Sequence, residues 1–162
     1  MSDNQFSNGH ALLIGVGADL PVTVKDATAL RDLFVDPQRA AYPDDQVALL
    51  TETAATRADI LDGLDSLLSR VSSNPGEATV IVYYSGHGGY LHEANSDKTY
   101  YLLPYGYDPL DRPNTAIFGH EFTAKIEALQ AQAKKLIVFL DCCHAAGVPT
   151  VKGKEETFTK SP

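Results

Sequence analysis

The stretch that decides the fold spans residues 134–147, with the sequence KKLIVFLDCCHAAG. Its apolar run, residues 136–140, has the length and the β-branched content of a strand that is buried on both faces. The run leads without a break into DCCH at residues 141–144. Reactive side chains therefore follow the carboxyl end of the predicted strand.

A second apolar run ends in a similar way. Residues 78–84, ATVIVYY, lead into SGHGG, and His87 lies 56 residues before Cys143 (143 − 87). A cysteine attacks as the thiolate, and a histidine nearby can take up its proton and later return it to a leaving amine. Either motif alone is equally compatible with a buried structural cysteine or histidine. Together, at two strand ends, they favour a catalytic pair.

The residues around this pair resemble the motifs of the caspase-like cysteine peptidases, in particular the metacaspases and their bacterial relatives. YSGHG at 84–88 is similar to the histidine motif of that family, and DCCH at 141–144 is similar to the Asp-x-Cys-His motif of metacaspases. The spacing also matches the caspase pattern, in which the histidine precedes the cysteine by about fifty residues. The family's Ser-Gly after the cysteine motif is Ala-Ala-Gly here. The resemblance covers residues 10–147 and identifies the large-subunit domain.

The resemblance implies that Cys143 is the nucleophile and His87 the general base. Strand alternation also distinguishes Cys143 from Cys142. A pleat that continues through DCC places Asp141 and Cys143 on one face of the strand and Cys142 on the other. The resemblance also implies that the backbone N–H groups of Gly88 and Cys143 form the oxyanion hole. The sequence identifies no carboxylate that would orient His87.

Composition limits the class of protein. The chain has 162 residues, of which 44% are hydrophobic and 21% charged, as expected of one soluble globular domain. Its net charge of −8 argues against nucleic acid or an anionic membrane as a partner, although it suits a cationic substrate. We expect a cytoplasmic protein, because residues 1–8 carry no apolar leader pattern and no run is long enough to span a membrane.

No metal or cofactor is predicted. A zinc site built from Cys142, Cys143, His144 and His87 is disfavoured, because adjacent cysteines lack the gap that lets both reach one tetrahedral ion. Four acidic residues lie too far apart for a recognised calcium loop, and a solvated acidic surface is favoured over calcium activation, which stays open as the alternative. These four are Glu93, Asp97, Asp108 and Asp111.

The periodicity of the chain predicts the fold. Strands are expected at residues 11–16, 46–51, 78–84 and 136–140, with an extended tyrosine-rich segment at 98–103. Apolar stripes at helical spacing predict three core-facing helices, the first ended by Pro37 and the second opened by a capping box at Thr56. The stripes are Val24, Ala27, Leu30, Leu33 and Phe34; Ile60, Leu61, Leu64, Leu67, Leu68 and Val71; and Phe122, Ile126 and Leu129. This alternation predicts an α/β fold, a doubly wound and mainly parallel sheet sandwiched between helices, with the reactive residues beyond the carboxyl ends of the strands.

The domain boundaries follow from the same pattern. Residues 1–9 are expected to be a flexible N-terminus, 10–147 the caspase-like domain and 148–162 a linker or processing loop. The resemblance implies two further strands in a small-subunit half, which this chain lacks, so its own small-subunit half is an expected partner. Exposed lysines in the loop are candidates for self-cleavage. They are Lys152, Lys154 and Lys160.

The resemblance also implies a substrate specificity, which rests on two aspartates. Leu20 stands where animal caspases hold substrate aspartate with an arginine, whereas Asp26 and Asp141 match the metacaspase residues that bind Arg or Lys before the cut. The alternative interpretation is that Asp26 favours a helix N-terminus and that Asp141 is a structural acceptor. The sequence thus predicts a cysteine endopeptidase that cleaves after Arg or Lys. The alternative is a catalytically idle caspase-like domain used for protein interaction.

Overall fold

Strands and helices alternate along the chain much as the apolar pattern predicts. The structure is a computed structural model that describes residues 5–91 and 98–143. In chain order the elements are β1 (Gly9–Gly15), α1 (Pro21–Val35), β2 (Val47–Thr51), α2 (Arg57–Val71), β3 (Thr79–Ser85), β4 (His87–Leu91), β5 (Thr99–Leu103), α3 (Arg112–Thr115), β6 (Ile117–Phe118), α4 (Gly119–Gln132) and β7 (Lys135–Asp141). Short 3-10 turns lie at Asp44–Gln46, Glu52–Ala54 and Pro109–Asp111.

The main sheet is parallel and has the strand order β2-β1-β3-β7. This order confirms the predicted α/β class, with strands that alternate with crossover helices. The register places Gly15, Ser85 and Asp141 in one row across the last residues of β1, β3 and β7. Side chains that follow these three strands therefore emerge at the same edge of the sheet.

Helices cover both faces of this sheet. Helix α1 packs on one face, where Ala27 joins Leu13 and Tyr83 in a core cluster. Helices α2 and α4 pack on the other face, where Leu64 and Phe122 join a larger cluster. The three predicted stripes face these cores except at Leu33, which is 40% exposed, and at Val24, which is half-buried and belongs to neither cluster. Placing these two residues in the core was wrong, because Ala27, Leu30 and Phe34 are the residues of the stripe that cover the sheet.

A second sheet lies between β3 and β7 in the sequence. It is antiparallel, has the strand order β4-β5-β6, and includes the predicted extended segment as β5. The sequence pattern did not indicate β4, in which two glycines interrupt any alternation, or the two-residue strand β6. His87 is consequently the first residue of a strand and does not lie in a loop.

Hydrogen bonds fix both the start of α2 and the first described residues of the chain. Thr56 is the N-cap of α2, and its side chain accepts a hydrogen bond from the backbone N–H of Asp59. In the segment predicted to be flexible, the N–H of Phe6 donates to the carbonyl of Ala41 at 2.7 Å, and the carbonyl of Asn8 accepts from Thr79 at 2.9 Å. Phe6 and Asn8 are therefore tied to the body of the protein.

Two further features bear on partners. Within residues 5–91 and 98–143, β7 pairs with β3 alone and so forms an edge of the main sheet. Its apolar side chains at 136–139 are only half-buried. None of the helices described here is long and apolar enough to cross a membrane.

Candidate active site

A cleft of about 390 Å³ opens at the carboxyl end of the main sheet. The sequence predicted four side chains for a site here, and all four line this cleft. They are His87, Cys143, Asp26 and Asp141. The cleft is completed by Leu20, Val22, Thr23, Ser85, Gly86 and Cys142. Loops after β1, β3 and β7 thus meet where the strand register places them.

The two cysteines differ in surroundings. Strand β7 ends at Asp141, so the pleat does not continue through both cysteines as the sequence analysis assumed. Their separation survives nevertheless, because Cys142 packs against the core on the α2 and α4 side while Cys143 is exposed. Burial, with smaller contributions from the neighbouring Cys143 and Asp141, raises the pKa of the Cys142 thiol to about 12. Cys142 is therefore held as a neutral thiol, which is a poor nucleophile.

The backbone of Gly88 lies directly against the cysteine turn. A Cβ atom added at Gly88 would collide with the carbonyl oxygen of Cys143, and the Sγ of Cys142 would lie 3.3 Å from it. Only glycine lets β4 approach the end of β7 this closely. The absence of a side chain therefore brings together the main chains of the two segments that carry the reactive groups.

The side chain of His87 has a partner that the sequence analysis missed. Its Nε2 atom lies 3.0 Å from Oδ1 and 3.0 Å from Oδ2 of Asp19. This hydrogen bond lowers the pKa of the Asp19 carboxyl, which keeps the group ionised. Asp19 lies in the loop after β1. The sequence could have indicated it, because functional sites in parallel sheets lie beyond the carboxyl ends of the strands.

The backbone of His87 is also fixed. The hydroxyl of Tyr84 lies 3.0 Å from the carbonyl oxygens of both His87 and Leu103, to which it can donate its proton. Tyr84 is fully buried, and burial holds its pKa well above the ordinary value. A protonated hydroxyl from β3 thus holds the first residue of β4 against β5.

Asp26 and Asp141 share one wall of the cleft. The hydroxyl of Ser85 donates to Oδ2 of Asp141 at 3.3 Å. Burial raises the pKa of Tyr83 under this wall, and the charges of Asp141 and Asp26 both add to the rise. Asp26 does not lie in the first turn of α1, which begins at Pro21, so the helix N-terminus does not account for it. Two exposed carboxylates consequently give this wall a negative charge.

Comparison with known families identifies the family of this chain. The family model described as the caspase domain, of the peptidase C14 family, matches residues 8–162. The chain belongs to the caspase-domain peptidase family. The resemblance to the caspase-like peptidases is thereby confirmed, and the closer resemblance to metacaspases stays a prediction. A search of curated proteins finds no match.

A solved structure supports the fold of this caspase domain. Protein GSU0716 from Geobacter sulfurreducens superposes with a TM-score of 0.60 at 19% sequence identity, over 85% of this chain and 51% of that one. At this identity the likeness concerns the fold alone. The caspase domain spans about half the length of that chain.

Some of the predicted features lie outside the described residues. These are the self-cleavage candidates Lys152, Lys154 and Lys160, His144, and the acidic residues Glu93 and Asp97. Within the described parts of the caspase domain, no group of three or more His, Cys, Asp or Glu side chains is arranged to hold a metal ion. Asp108 instead caps a short turn by accepting from the N–H of Leu110 at 2.8 Å.

Proposed function

We propose that the protein is a cysteine endopeptidase in which Cys143 is the nucleophile and His87 the general base. One observation carries the proposal: the cleft gathers an exposed cysteine, an imidazole and two carboxylates at the edge where strand ends meet. Membership of a peptidase family supports the same reaction class. The neighbouring Cys142 does not compete, because burial keeps it protonated.

The proposed reaction has two stages. His87 takes the proton of the Cys143 thiol, and the thiolate attacks the carbonyl carbon of the scissile bond. Backbone N–H groups of Gly88 and Cys143 stabilise the oxyanion, a role that suits the close approach of these two segments. The C–N bond then breaks as His87 returns the proton to the leaving amine. Water hydrolyses the remaining thioester.

The substrate is proposed to carry Arg or Lys before the cut. Asp26 and Asp141 supply two negative charges on the wall of the cleft, and a guanidinium can bind a carboxylate through two parallel hydrogen bonds. An aspartate at this position would face like charges without a cationic partner. Arg should therefore be cut at least as well as Lys.

Matched peptides that differ only in the residue before the cut test this proposal. We expect kcat/KM to be highest for Arg and Lys and lowest for Asp. Asp141→Asn should lower the value for Arg by about 10- to 100-fold, the loss expected for one charge-assisted hydrogen bond. It should leave a Leu peptide unchanged. Asp62→Asn, on the exposed side of α2, is the matched control for a lost charge.

Two outcomes contradict the proposal. Preference for Asp or Leu before the cut would refute the specificity. Absence of hydrolysis over a broad panel, with the protein folded, would favour the second candidate, an idle caspase-like domain that binds proteins. The half-buried edge strand β7 is the observation that favours that candidate, and it is also where a small-subunit half would pair.

A further inference from the structure

The pairing of Asp19 with His87 is not explained as a stabilising contact. Their side chains are 72% and 44% exposed, and ion pairs at such positions contribute little to the free energy of unfolding. Both carboxylate oxygens nevertheless lie 3.0 Å from the same ring nitrogen, Nε2. A contact with defined geometry and little value for stability indicates a role in the cleft.

The loop that carries Asp19 is built to hold it. Gly17 and Ala18 both have positive φ, 72° and 56°, and alanine adopts this left-handed conformation at a cost in free energy. The N–H of Leu20 donates to the carbonyl of Gly17 at 2.9 Å and closes the turn. Asp19 therefore stands at the tip of a tight, strained turn.

A buried threonine braces this turn from α1. The Oγ1 of Thr23 accepts from the N–H of Gly17 at 2.8 Å and donates to the carbonyl of Leu20 at 2.8 Å. Thr23 is only 4% exposed, so neither bond is open to competition from water. The backbone of Asp19 is thus held in place by hydrogen bonds to Gly17 before it and to Leu20 after it.

We propose that Asp19 is the positioning residue for His87. An ionised carboxylate can only accept, so the proton of the neutral ring lies on Nε2 and the lone pair on Nδ1. Nδ1 is then the atom that receives the thiol proton of Cys143 and returns it to the leaving amine. Asp19 itself gains and loses no proton, and its charge stabilises the imidazolium that forms in between.

The proposal rests on the proposed peptidase function, and steady-state kinetics test it there. Asp19→Ala and Asp19→Asn should lower kcat for an Arg peptide by about 10- to 100-fold. This is less than the loss of about 10⁴-fold known for a buried carboxylate behind a catalytic histidine, because Asp19 is exposed. KM and the thermal midpoint should stay unchanged, because Asp19 is exposed and is not proposed to bind the side chain of the substrate. Asp19→Glu should recover part of the loss.

A second measurement does not require activity. In protein with ¹⁵N-labelled histidine, the Nε2 resonance of His87 should move in Asp19→Ala and stay in place in Asp62→Asn, with His87→Gln used to assign it. An unmoved resonance, or wild-type kcat in Asp19→Ala, would overturn the role of Asp19. If Cys143→Ala keeps full activity instead, the peptidase mechanism fails. The resonance still tests the pairing in that case.

Discussion

The two ends of the main sheet place a histidine in opposite surroundings. His10, at the amino end of β1, borders a small polar pocket of about 100 Å³, and its buried Nδ1 has no hydrogen-bond partner among the described residues. Burial lowers the pKa of His10, and Arg70 lowers it further. His87, at the carboxyl end, is exposed and bonded to a carboxylate. Burial and a nearby cation thus favour the neutral form of His10, whereas His87 is exposed and bonded to an acid.

The difference has a cause in the topology. Parallel strands bring all their carboxyl ends to one edge, where the loops after β1, β3 and β7 each contribute polar groups to one cleft. At the amino end, polar side chains bond to the backbone of neighbouring segments. Gln46 shows this, since its side-chain amide donates to the carbonyl of Gly9 at 2.9 Å.

The largest expected effect concerns the two cysteines at the carboxyl end. Cys143→Ala should lower kcat/KM by at least about 10³-fold, because no other exposed thiol lies in the cleft. Cys142→Ala should retain most of the activity, since its thiol is buried and protonated. Hydrolysis of an Arg peptide and labelling by a thiol-directed reagent measure both variants.

Self-cleavage is a second measurement that tests whether Cys143 is the nucleophile. Mass spectrometry of the wild-type chain should find new ends after Lys152, Lys154 or Lys160, and none in Cys143→Ala. Equal loss of activity in both cysteine variants, with folding intact, would contradict the assignment of the nucleophile. Cleavage of Cys143→Ala at the same bonds would indicate another protease.

A smaller effect is expected where β3 holds the histidine. Tyr84→Phe removes a buried hydroxyl that lies 3.0 Å from the carbonyls of His87 and Leu103. The free energy of unfolding should fall by about 1 kcal/mol, which corresponds to about 2–4 °C in Tm for a domain of this size. Thermal unfolding followed by circular dichroism measures it, and kcat should fall as well because the backbone of His87 is less restrained.

Tyr105→Phe is the matched control for this change. Its hydroxyl makes no hydrogen bond within the described residues, and its side chain is half-buried. An equal fall in Tm for both variants would show that the bridge between β3, β4 and β5 contributes nothing specific.

The smallest effect belongs to the amino end. Because the pKa of folded His10 is lowered from the ordinary 6.5, the unfolded chain binds a proton that the folded chain does not. The free energy of unfolding therefore falls as the pH drops below about 6.5. Replacing the imidazole by His10→Gln should weaken this fall. Tm measured from neutral to mildly acidic pH tests it, and identical slopes for both proteins would refute the inference.

Much of this arrangement follows from the sequence, for reasons that particular residues make clear. The runs that became β1 and β3 are buried on both faces, so their apolar pattern predicts their place in the sheet. The run that became β7 was correctly predicted as a strand, but its expected burial on both faces was wrong, because β7 is an edge strand and residues 136–139 are only half-buried. By contrast β4, HGGYL, is a strand only because β5 pairs with it, and its two glycines give no local signal.

The candidate site divides in the same way. His87, Cys143, Asp26 and Asp141 stand in or beside recognisable motifs, and strand order brings them to one cleft. The position of Asp19 depends on a turn in which Ala18 adopts a left-handed conformation. An alanine in a sequence does not indicate this conformation, so the turn could not be predicted. Its partnership with His87 is a product of tertiary structure.

The close approach at Gly88 has a consequence for how such a site can diverge. Main chain packs on main chain here, and a missing Cβ sets the spacing between the segments that carry His87 and Cys143. The walls of the cleft are instead formed by side chains such as Leu20, Val22 and Asp26. Substitutions in those walls can therefore change the shape and charge of the cleft, while the separation of the segments that carry His87 and Cys143 stays the same.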